Sequence, residues 1–223
     1  VLSGIGKRET KRSRTTFSIL TGAMTLFIGV ILLSSLQRLA LYESAYGFTR
    51  LRTYSHLCIL WIGVLFLAIL VLEITQHHRY FTLASLAAVA GFLLTMNIIN
   101  VDGLIVRQNI DRLEVEEAAL DTYFLHTLSD DAIPALVEGW DDLHLSDLEQ
   151  DEIAAILACR AYTLGELDLK WPSFTLPVYR AKRALEESSQ IWEDIELLND
   201  QYRNPYIEVG EKTFYCYSRY WLD

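Results

Sequence analysis

The chain has 223 residues, a formal net charge of −10 and 52% hydrophobic residues. Such an acid excess argues against nucleic acid as a partner, which needs clustered Lys and Arg, while the average hydrophobicity alone decides little. Distribution decides more: residues 1–104 hold nine Lys/Arg against four Asp/Glu, a net of +5, and residues 105–223 hold ten against 25, a net of −15. One chain therefore serves two physical environments.

The first residue is Val1, and no small-residue cleavage site follows an apolar run in the manner of a signal peptide. Further sequence upstream is expected. Gly4, Gly6 and Lys7 lack the spacing of a phosphate loop, and Arg8 stands where Ser or Thr would bind magnesium. Residues 1–14 form a basic juxtamembrane segment.

Three uncharged windows follow, lying between Arg14 and Arg38, Arg52 and Glu73, and Arg79 and Asp102. About 20 apolar residues rising 1.5 Å each cross a hydrocarbon core of about 30 Å. Transmembrane helices are expected over 15–37, 53–72 and 80–101, within a membrane region of 15–104. In the third, Ala87, Gly91 and Thr95 recur at every fourth position, a small-residue stripe that lets helix backbones approach closely. The link EITQHHR makes the second and third spans an antiparallel hairpin. Its adjacent His77 and His78 cannot share one helix face as metal ligands do, so they read as interfacial anchors.

Two polar stretches border the spans. In QRLALYESAYGFTRLR, residues 38–52 read as an interfacial loop, with Tyr42 and Tyr46 at headgroup depth and Glu43, Arg50 and Arg52 among them. In NIINVDGLIVRQNIDR, Asn97, Asn100, Asp102, Arg107 and Asn109 follow the third span. Polar side chains near lipid usually need partners, so Asp102 or Glu43 is expected to pair with Arg50 or Arg52. Asn100 and Asp102 would also mark the site of a transporter or membrane enzyme, if the chain were one.

Residues 105–223 read as an acidic, mostly helical extramembrane domain. DRLEVEEAALDTYFLHTL is read as one helix. Ser129, Asp130 or Asp131 would cap the next, with Pro134 in its first turn. Ser146 and Glu149 form a capping box ahead of DEIAAILACRAY. LKWPSFTLP is a loop, and residues 177–203 read as one amphipathic helix through Val178, Ala181, Leu185, Trp192, Ile195 and Asn199. The end alternates with period two around Gly210 and Glu211, the pattern of a small hairpin. Of the three cysteines, Cys58 lies in an apolar run, leaving Cys159 and Cys216 as the one plausible disulfide pair. An unpaired buried thiol is the expected state of each. His126 and His144 have acids nearby, as any histidine in so acidic a segment would. No metal, cofactor or catalytic constellation is expected.

LYESAYGFTRLR, NIINVDGLIVRQNI and LSDDAIPAL, in that order, resemble the C-terminal core of an uncharacterised family of bacterial multi-pass membrane proteins, a domain of unknown function. The resemblance covers roughly residues 15–137. It rests on Leu41, Tyr42, Ala45, Tyr46, Gly47, Thr49, Leu51 and Arg52; on Asn100, Asp102, Ile105 and Asn109; and on Leu128, Ser129, Asp131, Ala132, Pro134 and Ala135. Many relatives in that family carry proline where this chain has Val101. The resemblance implies further spans upstream and no established activity.

The expected architecture is an all-α membrane protein: three transmembrane helices, then a mostly helical acidic soluble domain with a small C-terminal β-hairpin. The expected function is a non-enzymatic membrane subunit or scaffold in a bacterial plasma membrane. Its partners would be the lipid bilayer and other membrane-protein subunits. A sensory protein or a transporter are the rival readings. Six basic residues inside against five outside, led by the dense cluster before the first span, put the N-terminus in the cytoplasm and the acidic domain outside.

Overall fold

The computed structural model describes residues 11–114, 119–165 and 175–216. Residues 1–10 of the basic segment, and residues 169–174 of the LKWPSFTLP loop, lie outside them. The chain divides into two compact units, Val1–Ile99 and Asn100–Asp223, so the division falls slightly ahead of the boundary expected at residue 104.

The first unit contains α1 (Lys11–Tyr46), α2 (Arg50–Ile74) and α3 (Phe81–Ile98). All three are long and apolar enough to cross a membrane. Even the 18 residues of α3 reach about 27 Å at 1.5 Å each. The helices leave much of their apolar surface uncovered by protein: Ile19 is 67% and Leu86 62% exposed. In water that surface would be costly, and in lipid it costs nothing.

The interfacial loop expected over 38–52 is mostly helix. Leu, Ala and Glu carry α1 onward to Tyr46 because no glycine or proline intervenes. Gly47 then takes a left-handed φ of +76°, and α2 starts at Arg50.

A Schellman ending closes α2. His77 N–H donates to the Leu72 carbonyl at 3.0 Å and Gln76 N–H to Glu73 at 3.3 Å, with Gln76 itself left-handed at φ +59°. The chain then makes a 3₁₀ turn, His78–Tyr80, and returns as α3. Packing of α2 on α3 uses the small-residue stripe. Trp61 packs against Gly91, where a Cβ would sit 2.1 Å from the indole, and its Nε1 donates to Thr95 Oγ1 at 3.2 Å.

The second unit contains α4 (Val101–Asp111), α5 (Thr122–His126), α6 (Ile133–Gly139), α7 (Asp147–Gly165) and α8 (Leu176–Glu187). A three-stranded antiparallel sheet follows: β1 (Leu198–Asn199), β2 (Pro205–Val209) and β3 (Lys212–Tyr215), in the order β1-β2-β3. The central element is α7, buried without interruption from Glu152 to Cys159. Packed on it are β2, β3, α5, α6 and α8, while α4 packs on α6. Ile105, Leu125, Ile133, Leu136, Ile156, Ile207 and Phe214 fill the core.

Several local expectations hold. Ser146 N–H and Oγ donate to Glu149 Oε2 at 2.9 and 2.7 Å, and Glu149 N–H returns a bond to Ser146 Oγ, completing the capping box. Pro134 lies in the first turn of α6. The hairpin turns at Gly210 (φ +59°) and Glu211, with Val209 opposite Lys212. A positive φ at the first turn position alone matches a type II′ turn.

Others are corrected. The segment 111–128 is not one helix: a 3₁₀ turn occupies Arg112–Glu114, and α5 starts separately, capped by Asp121 through Phe124 N–H at 3.0 Å. Nor is 177–203 continuous. After α8 ends at Glu187, Ser188 leaves helical geometry, a 3₁₀ turn follows, and Trp192 folds back so that its Nε1 donates to the Leu185 carbonyl at 3.4 Å. Asn199, expected on the helix stripe, pairs in β1. Cys159 and Cys216 are not unpaired thiols: they form a disulfide across 57 residues, joining α7 to the end of β3. Cys58 is a free cysteine.

Candidate functional site

In the first unit the candidate residues gather at the α1–α2 turn. Its tightness is set by Gly47, whose N–H donates to the Glu43 carbonyl at 2.9 Å and whose carbonyl accepts from Arg52 Nη1 at 2.5 Å. The Arg52 guanidinium also lies over the Tyr46 ring, 5.7 Å from its centroid. Tyr46 in turn stacks with Tyr42, centroids 6.3 Å apart. Both tyrosines are exposed and one turn apart on α1, as an aromatic belt requires. Glu43, by contrast, is 5% exposed. Its Oε1 lies 3.0 Å from Nδ1 of His56, a residue that the sequence reading did not name as its partner. Arg50 opens α2, half-buried.

A second buried carboxylate, also missed, lies at the other end of the same helix pair. Glu73 is 4% exposed and accepts from Ser18 Oγ at 2.8 Å. Each end of the α1–α2 pair thus holds a carboxylate kept out of lipid by a polar side chain of the neighbouring helix.

In the second unit, Asn100 caps α4, its Oδ1 accepting from Gly103 N–H at 2.8 Å. Its Nδ2 donates to the Asp131 carbonyl at 2.7 Å. Asp102, 6% exposed, accepts through Oδ2 from both the N–H and the hydroxyl of Ser129, at 2.7 and 2.5 Å. Ser129 was expected as a helix cap; its hydroxyl is turned to Asp102 instead. Val101 is the first residue of α4, a position where a missing N–H costs no hydrogen bond. The start of α4 and the start of α6 are therefore clasped by two pairs, Asn100 with Asp131 and Asp102 with Ser129. Asn109 donates Nδ2 to the Ile105 carbonyl one turn back, at 2.9 Å.

Charges around this clasp are spent on backbone. Arg160 donates to the carbonyls of His126 and Leu128 at 2.9 and 2.6 Å, with Asp130 3.4 Å away. Asp131 has its pKa raised, first by burial, then by the neighbouring charges of Asp102 and Asp130, with Arg180 opposing. Deeper in the unit, Glu152 is 1% exposed and meets Thr122 Oγ1 at 2.6 Å and Lys212 Nζ at 2.8 Å. Of the histidines, His144 is held by Asp142 at 2.8 Å and His126 Nε2 meets the Tyr215 carbonyl at 3.0 Å. His77 stacks on Tyr80. Among the described residues, no group of three or more His, Cys, Asp or Glu is placed to hold a metal ion.

A family model described as Domain of unknown function (DUF4153) matches residues 1–139, more than half of the chain. The chain belongs to the DUF4153 family. No curated protein and no solved structure matches it. The DUF4153 match takes in all three apolar helices and both pairs of the clasp, and it ends at Gly139, the last residue of α6. Beyond it lie α7, α8, the sheet and both disulfide cysteines.

Proposed function

We propose that the chain is a non-enzymatic membrane subunit or scaffold, whose apolar helices anchor an acidic domain offered to protein partners within a membrane assembly. The observation that carries this reading is the use made of the buried polar groups. Asp102, Glu152 and Arg160 each meet a side chain or carbonyl of the domain's own framework, where a reacting centre would turn such groups toward an open cavity. The rival reading of a transport or catalytic site at Asn100 and Asp102 is less well supported for the same reason: both side chains clasp two helix starts.

The acidic domain is placed outside the bacterial plasma membrane in this proposal. The basic cluster from Lys7 to Arg14, ahead of the first apolar window, favours a cytoplasmic N-terminus, and three crossings then put the domain on the far side. The Cys159–Cys216 disulfide agrees, because such bonds persist in oxidising compartments.

Two experiments test the reading. Purification of the full chain in mild detergent should yield a stable stoichiometric partner; a lone monomer that binds a small solute would favour transport. On intact cells, an impermeant thiol reagent should label a Leu143→Cys variant, the substituted position being 96% exposed. Labelling confined to lysed cells would reverse the orientation.

A further inference from the structure

The sheet of the second unit is incomplete on one side. Val209 and Lys212 flank a two-residue turn, so they form a hydrogen-bonded pair, and bonding alternates from there. Ile207 bonds with Phe214, and Pro205 accepts from Cys216 N–H at 2.9 Å. Tyr206 and Glu208 therefore turn their N–H and carbonyl groups away from β3, toward β1. Tyr206 is answered there by Leu198. The same register would put Glu196 opposite Glu208, but pairing stops at Leu198 and that rung does not form.

An open cavity of about 520 Å³ occupies the place of the missing rung. Its walls include Ile195, Leu198 and Ile207, and its rim carries the exposed carboxylates of Asp151, Glu196 and Glu208. A strand edge beside a groove of mixed apolar and acidic lining is a template for strand addition.

Resting on the reading of this domain as a protein-binding one, we infer that β2 accepts an extended segment of a partner protein at Glu208, carrying Lys or Arg flanked by apolar residues. The chemistry follows from the pleat. A residue directly opposite Glu208 shares its face and pairs with a carboxylate, so it is basic. Its two neighbours turn to the face of Ile207 and Val209, so they are apolar. Main-chain bonds to the Glu208 N–H and carbonyl supply the rung, and the acidic rim selects the charge.

The test uses the full chain in mild detergent and a fluorescent, end-blocked peptide of sequence Ser-Val-Lys-Val-Ser, read by anisotropy at low salt. Binding is expected, weakened at least tenfold when the backbone nitrogen of the lysine is methylated and when Lys is replaced by Glu. Glu208→Pro removes one outward N–H while sparing the β2–β3 rungs, and should also weaken binding at least tenfold. Should that variant misfold, the methylated peptide decides alone. No binding, equal binding of the methylated peptide, or dimerisation of the chain through this edge would overturn the inference. A stoichiometric partner retained by folded Glu208→Pro would overturn the groove and leave the subunit reading standing.

Discussion

Asp102 receives two hydrogen bonds from a single residue: the backbone N–H and the hydroxyl of Ser129 both end on its Oδ2, at 2.7 and 2.5 Å. The clasp thus concentrates on one carboxylate oxygen, and Asn100 reinforces it through the Asp131 carbonyl.

Replacing Asp102 by Ala leaves the half-buried Ser129 donors unanswered and should destabilise the second unit by about 2–3 kcal/mol. Asp102→Asn keeps an acceptor and should cost about 1 kcal/mol. Chemical denaturation in detergent, followed by far-ultraviolet circular dichroism, reads both. Equal losses would mean that the charge, rather than the acceptor, holds Ser129.

The Trp61–Gly91 contact predicts a size limit in the first unit. Gly91→Ala forces the indole aside and should cost about 1–3 kcal/mol, as overpacking does. Adding Trp61→Leu should recover part of that loss, whereas Gly29→Ala, with open space around its Cβ, should be neutral. Melting temperatures of the four proteins in one detergent give the comparison.

Two carboxylates predict opposite responses to pH. Glu149 is driven upward by burial, but the N–H groups of Leu120 and Ser146, the Ser146 hydroxyl and the Lys212 charge outweigh it, so its pKa is lowered. Its contribution is present above the unfolded value near 4.5 and is lost as pH falls through the lower folded value. Asp131, raised mainly by burial, behaves in reverse: ionisation opposes the fold, and stability falls as pH rises from 3.8 through the folded value. Asp131→Asn should therefore melt higher than the parent at neutral pH, the gap closing in acid. Glu149→Gln should melt lower at neutral pH, its gap also closing in acid. Melting curves from pH 3 to 8 test both signs, taking about pH 3–4 as the acid limit of carboxylate ionisation.

The disulfide predicts a large thermal effect. Closing a loop of 57 residues in the unfolded chain is worth about 4 kcal/mol in the loop-entropy estimate. Cys159→Ser with Cys216→Ser should lower the melting temperature of the acidic domain, and a reductant should lower the parent to match. A parent indifferent to reductant would show that the bond contributes nothing.

Legibility in the sequence followed the range of the interaction. The spans, the Ser146–Glu149 box, Pro134 in α6 and the Gly210 turn all depend on residues within a few positions of one another, and each could be read directly. The 177–203 stripe failed because a three-and-four spacing continues by chance past Ser188 and Ser189, whose side chains compete with helix for backbone partners. The interfacial loop failed in the other direction, since an amphipathic surface segment and the end of a long helix share one composition.

At the candidate site, the gathering of Tyr42, Tyr46 and Arg52 around Gly47 was foreshadowed by their crowding in sequence. The His56 partner of Glu43 was not, although a glycine turn between two helices brings back residues from both flanks. The answer to Asp102 lay 27 residues away in Ser129, and no spacing rule points there. The same distance problem hid the choice between a disulfide and two thiols for Cys159 and Cys216.

That bond also orders the birth of the protein. One sulfur is in the middle of the sheet-bearing region's central helix and the other directly follows β3, so covalent closure must wait until residue 216 has left the ribosome. Until then α7 holds a bare thiol among apolar neighbours, and everything after Gly139 depends on non-covalent packing alone.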